Sequence, residues 1–174
     1  VVESDERLGA SLAVYGTGGS GLVKRSATPF LGLPNRWLNP LGVGDFNGDG
    51  QLDVALVATP HIGGILRLYT YKRGTMNVYA EYRGVSTHRI GSTQLGLGQV
   101  VNIGPKDLIL VPEQSWKSLL LLEWDTGRFL LLAKAVLPSR MASSLAAVGQ
   151  NKWIVQLEDG RRYEISLIRP DKDS

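Results

Sequence analysis

An all-β fold is predicted by three features of this 174-residue sequence. Short apolar runs alternate with turn residues about every eight to twelve positions, the spacing of strands in an antiparallel meander. No stretch carries the 3.6-residue apolar period of a long amphipathic helix. The sequence also resembles itself at an offset of 54 residues, and self-similarity near that period marks a repeat architecture.

The first forty residues hold weak apolar runs at 8–15, 22–23 and 30–33. Between the first two lies a glycine-rich run, residues 16–21. A phosphate-binding loop would end in Gly-Lys-Ser/Thr and enter a helix. Here Lys24 comes later and no helical stripe follows, so the run is predicted to be a turn between strands. Residues 34–40 form a turn-rich segment around Trp37. Residues 54–59 are almost continuously apolar, the pattern of a strand buried on both faces. Residues 65–71 and 76–82 alternate as half-buried strands do, with Gly74 at the turn between them.

The 54-residue offset lays Leu41-Gly42-Val43-Gly44 over Leu95-Gly96-Leu97-Gly98 and Asp53 over Asp107. Of the 17 positions from 41 to 57, 7 are identical. A third, shorter copy is expected over 145–168, with Asp159-Gly160 as a hairpin signal of the primed-turn kind. Units of about fifty residues with three or four short strands are the pattern of β-propeller blades, which cannot bury both faces alone. The expectation is one propeller-type domain over 1–174, built of four-stranded antiparallel blades. Its repeats are placed at 41–94, 95–144 and 145–168, with an incomplete leading blade at 1–40. Three to four blades are visible, so further blades or self-association are expected to complete a ring.

Composition narrows the function classes. Apolar residues at 43% and charged residues at 20% fit a packed globular chain. The longest apolar runs, 119–122 and 129–133, are too short to cross a bilayer as helices. The net charge of +3 comes from scattered pairs at 24–25, 72–73 and 161–162. A nucleic-acid surface needs basic residues gathered on one face, so no such partner is expected. With no cysteine there is no disulfide, zinc thiolate or cysteine nucleophile. The chain opens Val-Val-Glu-Ser with no basic-then-apolar leader, so an export signal is expected to lie outside it.

The densest chemistry lies at residues 45–53, Asp-Phe-Asn-Gly-Asp-Gly-Gln-Leu-Asp. Asp45, Asn47, Asp49 and Asp53 supply oxygens at close spacing, and two glycines permit a sharp turn, which is how a hard cation such as Ca²⁺ is caged. Three carboxylates this close repel unless a cation neutralises them. An EF-hand requires a bidentate Glu at loop position 12 and flanking helices. Position 12 is Leu56 and the flanks read as strands. The second copy keeps only Asp107 of the acidic set, so no metal is expected there.

Residues 44–54, Gly-Asp-Phe-Asn-Gly-Asp-Gly-Gln-Leu-Asp-Val, resemble the FG-GAP/VCBS repeat of integrin-α-like β-propellers. The resemblance implies Ca²⁺ bound by the side chains of Asp45, Asn47, Asp49 and Asp53 and by the backbone carbonyl of Gln51. Residues 29–147, with Asn35-Arg36-Trp37, Thr59-Pro60-His61 and His88-Arg89-Ile90-Gly91, are also similar to bacterial FG-GAP/VCBS repeat proteins of unassigned function. Those typically carry export signals, which implies a periplasmic or extracellular setting.

No catalytic constellation is legible. His61 and His88 are the only histidines, no Gly-x-Ser-x-Gly elbow occurs, and both are expected in structural or surface roles. Trp37, Trp116, Trp124 and Trp153 are expected to wedge blades together, with Trp37 and Trp116 as candidates for a ligand surface. The expected function is a non-catalytic, calcium-stabilised module that binds a protein or glycan partner. The alternative is a lectin-like domain or an accessory part of a polysaccharide-active enzyme. Fold alone does not separate the two.

Overall fold

The computed structural model describes residues 1–168, in which every regular element is a strand. A first sheet contains β1 (Val2–Asp5), β2 (Gly9–Gly18) and β3 (Gly21–Ala27). A second contains β4 (Leu38–Gly44), β5 (Asp53–Ala58), β6 (Gly64–Lys72) and β7 (Thr75–Val85). A third contains β8 (Gln99–Val101), β9 (Leu108–Pro112), β10 (Ser118–Asp125) and β11 (Arg128–Val136). A fourth contains β12 (Ala146–Gly149), β13 (Lys152–Gln156) and β14 (Arg162–Ser166). Each sheet is a meander whose hydrogen-bonded neighbours are consecutive in sequence. All its ladders are antiparallel. The first and fourth sheets have three strands each, on the segments expected to hold an incomplete leading blade and a shorter third copy, and the two middle sheets have the expected four.

Alternation along the strands explains how the sheets stack. On β5, Ala55 and Val57 pack with Ile109, Val111, Leu120 and Leu122 of the third sheet. Leu56 and Ala58 point the other way and pack with Ala10 and Leu12 of the first sheet. On β9, Leu108 and Leu110 turn from the second sheet to join Trp153 and Val155 of the fourth. A side-chain period of two therefore gives each middle sheet two buried faces. This is why residues 54–59 read as a continuous apolar run. The three apolar clusters join the first sheet to the second, the second to the third, and the third to the fourth.

Three local readings change. The glycine-rich run is mostly strand, because β2 continues to Gly18 and only Gly19-Ser20 turns before Gly21. The Asp159-Gly160 hairpin is not a primed turn. Gly160 alone has positive φ, at 83°, and its N–H donates to Leu157 O at 3.0 Å. A longer loop of this kind needs only one left-handed residue.

The third change concerns the offset copy. Val43 pairs with Val54, so the 54-residue offset predicts Leu97 opposite Leu108. Val101 takes that place instead, and Leu95 to Gly98 precede the strand. The segment without cation-binding side chains contributes Val100 and Val101 to the ladder, and Val101 is buried. Burial of apolar surface thus shortens this hairpin loop relative to its acidic counterpart.

Phe46 is fully buried and belongs to the cluster between the second and third sheets, although it lies in a connecting loop. Phe46→Ala is expected to cost about 3–5 kcal/mol by leaving a cavity at that seam. Leu52→Ala, on the same loop but 68% exposed, is expected to change stability by less than about 0.5 kcal/mol. Denaturant unfolding of both variants checks the difference. Equal midpoints would contradict the anchoring role of Phe46.

Candidate calcium loop and histidine cleft

The acidic loop joins β4 to β5 and folds around the Asp45 carboxylate. Asp45 Oδ1 accepts the N–H groups of Gly48 at 2.7 Å and Asp49 at 3.1 Å, and Oδ2 accepts that of Gly50 at 2.8 Å. Asn47 Oδ1 accepts Asp49 N–H at 2.8 Å, and Asp49 Oδ1 accepts Gln51 N–H at 3.0 Å. Gly48 and Gly50 both have φ of 77°, a conformation that costs glycine nothing. Short polar side chains that bond the backbone two or three residues ahead favour this local turn.

Asp53 opens β5 and has no solvent-accessible surface. Its Oδ2 accepts the Tyr79 hydroxyl at 2.6 Å and the Asn47 amide at 3.1 Å. Its Oδ1 is buried and accepts no hydrogen bond among the described residues, with the Thr70 side chain as a further polar neighbour of the carboxyl. Burial raises the Asp53 carboxyl above the ordinary aspartate range, because the charged form loses its hydration. Burial and then the neighbouring Asp53 carboxylate raise the Tyr79 phenol. Lys72 donates to Asp49 Oδ2 at 2.8 Å and holds that carboxyl below its usual range.

The loop is also tied to the third sheet. Asp45 N–H donates to Asp107 Oδ2 at 2.7 Å, and Asp107 N–H donates to Asp45 O at 2.9 Å. Asn102 Nδ2 donates to Asp107 Oδ1 at 2.6 Å. A Cβ on Gly44 would lie 2.6 Å from Asp107 Oδ2, so the close approach requires glycine at that position. Asp107, the one carboxylate kept in the offset copy, is therefore a clasp between neighbouring sheets.

The sequence-predicted ligands Asp45, Asn47, Asp49, Gln51 and Asp53 share one loop between β4 and β5. Among the described residues, no group of three or more His, Cys, Asp or Glu side chains is placed to hold a metal ion. The donor chemistry nonetheless fits a hard cation. The set is all oxygen, and Asp53 Oδ1 is a buried anionic acceptor without a partner.

A second convergence was not legible in the sequence. His61, in the β5–β6 turn, and His88, after β7, lie with ring centroids 6.2 Å apart. Trp37 meets His88 edge-on at 4.3 Å. The histidines are 27 positions apart, and no spacing rule links them. The meander links them, because the ends of β5 and β7 fall at the same edge of one sheet, opposite the acidic loop. Trp116 and Trp153 lie in the cluster between the third and fourth sheets, and Trp124 packs against the preceding one. Trp116 is buried, with the Arg89 guanidinium 5.0 Å above its ring, and it lines the cavity beside His61 and His88. No helix among the described residues is long and apolar enough to cross a membrane.

Asp53 provides a pH test. Its raised carboxyl binds a proton more tightly folded than unfolded. In chelator it therefore favours folding below the ordinary carboxylate range, and this contribution is lost as pH rises through the folded value. Asp53→Asn removes the dependence, so the variant is expected to gain stability relative to the parent between pH 4 and pH 7. Denaturant midpoints at both pH values measure this, and a relative loss would contradict it. No protein-family model matches the chain, and no curated protein matches it.

Proposed function

We propose that this chain is a non-catalytic interaction module of FG-GAP/VCBS-type propeller blades, exported from the cell and stabilised by Ca²⁺ in the 45–53 loop. The observation that carries the reading is the buried, unpartnered Asp53 Oδ1 at the foot of β5. An anionic oxygen without a donor is costly, and a bound cation removes the cost. In this reading Asp45, Asn47, Asp49 and Asp53 are side-chain ligands, and Gln51 contributes its carbonyl. The ion then joins the β4–β5 turn to the seam that Asp107 and Phe46 already hold.

Four meandering sheets stacked in chain order support the propeller reading. Further blades or a second copy would complete the ring. Leu22 of β3 is 72% exposed and Val148 of β12 is 51% exposed, which leaves apolar surface for such a neighbour. The partner class is a protein or a glycan, met by loops carried on this stack.

An ion that binds only the folded state raises stability by mass action. Extracellular Ca²⁺ modules have dissociation constants on the order of 10⁻⁴–10⁻³ M. At Ca²⁺ about 100-fold above the constant, the gain is about 2.7 kcal/mol. Thermal unfolding is expected to shift upward with Ca²⁺, to return with chelator, and to show no shift in Asp49→Ala. A parent melting curve indifferent to Ca²⁺ would exclude the proposed ion.

A further inference from the structure

The two histidines meet in a cleft at the strand ends opposite the acidic loop. A cavity of about 320 Å³ lies on one side of the pair, lined by His61, His88, Arg89, Gln114, Ser115 and Arg140 among others, with no carboxylate in its wall. A second cavity of about 470 Å³ lies on the other side, and Arg36 and Trp37 line it together with Asp5 and Glu6. Both volumes suit a small ligand.

Three further observations point to a built site. His88 is buried at 8% exposure, and its Nε2 lies 2.9 Å from Ser92 O. A carbonyl only accepts, so Nε2 donates to Ser92 O and Nδ1 is the ring nitrogen left for another partner. Nδ1 of His88 and Nδ1 of His61 are both buried without partners among the described residues. Backbone strain collects here as well. Thr59 and Trp116 hold φ of 47° and 62°, in a region that β-branched and bulky residues avoid.

The charge around the pair selects the ligand. Arg89 is paired with Glu158, whereas Arg140 has no ion pair among the described residues. A divalent cation in the first cavity would face Arg89 and Arg140 with only two imidazoles to hold it. An oxyanion meets guanidinium donors and, once a ring takes up a proton, a new Nδ1–H donor. We propose that this cleft binds a small ligand bearing an oxyanion, a carboxylate or a phosphate, between Arg140 and the His61–His88 pair, with uptake of a proton by the pair.

The electrostatics set the direction of the pH dependence. Burial first, then His88 and Arg36, disfavour the charged form of His61. Asp5 and Glu6 from the first sheet, Arg89 and Arg140 from the third-sheet side, and Glu158 beside Arg89 are the other charges facing the cleft. An anion placed against the rings offsets this repulsion, so binding tightens as pH falls through the imidazole range.

The test is calorimetric titration of the full chain with glucuronate, glucose 6-phosphate and glucose at pH 5.5 and pH 7.5. At least one anion is expected to bind, about tenfold more tightly at the lower pH, while glucose does not. The stronger anion identifies the carboxylate or the phosphate. Exposed Arg140→Ala is expected to weaken binding about tenfold or more with an unchanged melting temperature. His61→Gln is expected to remove the pH dependence. Equal binding of glucose, an unchanged affinity in Arg140→Ala, or no binding of either anion at about 10 mM overturns the proposal.

Discussion

A carboxylate buried without solvent contact opens the strand that packs against the sheets on both sides of it. Asp53 leads into β5, whose alternate side chains reach the first and third sheets. One of its oxygens is satisfied by Tyr79 and Asn47, and the other has no hydrogen-bond partner among the described residues. Moving a charge out of water is among the largest local costs a fold can carry. Such a group persists when its surroundings over-determine it or when a counter-charge arrives. Here the surroundings are strong. Phe46 is fixed in the core between the second and third sheets, and Asp107 clasps the backbone of Asp45 at the same seam. The loop is thus held in place by apolar packing and by backbone N–H groups that its own carboxylates accept.

The same meander separates two chemistries along the strand axis. The acidic loop lies at one end of the second sheet, and the histidine cleft lies at the other. β5 runs directly between them, from Asp53 to the Thr59-Pro60-His61 turn. Packing on both faces of β5 makes it a poor conduit for large displacements and a good spacer. An ion at one end and an anion at the other are therefore expected to act independently.

Much of the architecture was legible because its signals are local. The two-residue period, the glycines at turns and the continuous apolar run 54–59 each reflect a physical requirement of a strand or turn. The acidic loop was legible for the same reason, since its side chains bond backbone groups a few residues ahead. Relations set by topology were not legible. Asp107 appeared as a remnant of a lost ion site, yet it grips a residue 62 positions earlier. His61 and His88 appeared unrelated and share a cleft. The Val100-Val101 ladder was hidden because identity at Leu95, Gly96 and Gly98 favoured a register that hydrophobic burial overrode. The place of Trp116 under Arg89 depends on how two loops meet.

Terbium(III), a hard trivalent substitute for Ca²⁺, measures the central claim most directly. Tyr79 donates its hydroxyl to Asp53 and so stands beside the proposed ion. Excitation of the protein's aromatic side chains is expected to give terbium emission that saturates at one ion per chain, falls in Tyr79→Phe and is displaced by Ca²⁺. Absence of sensitised emission, or emission that Ca²⁺ does not displace, would contradict an ion at Asp53.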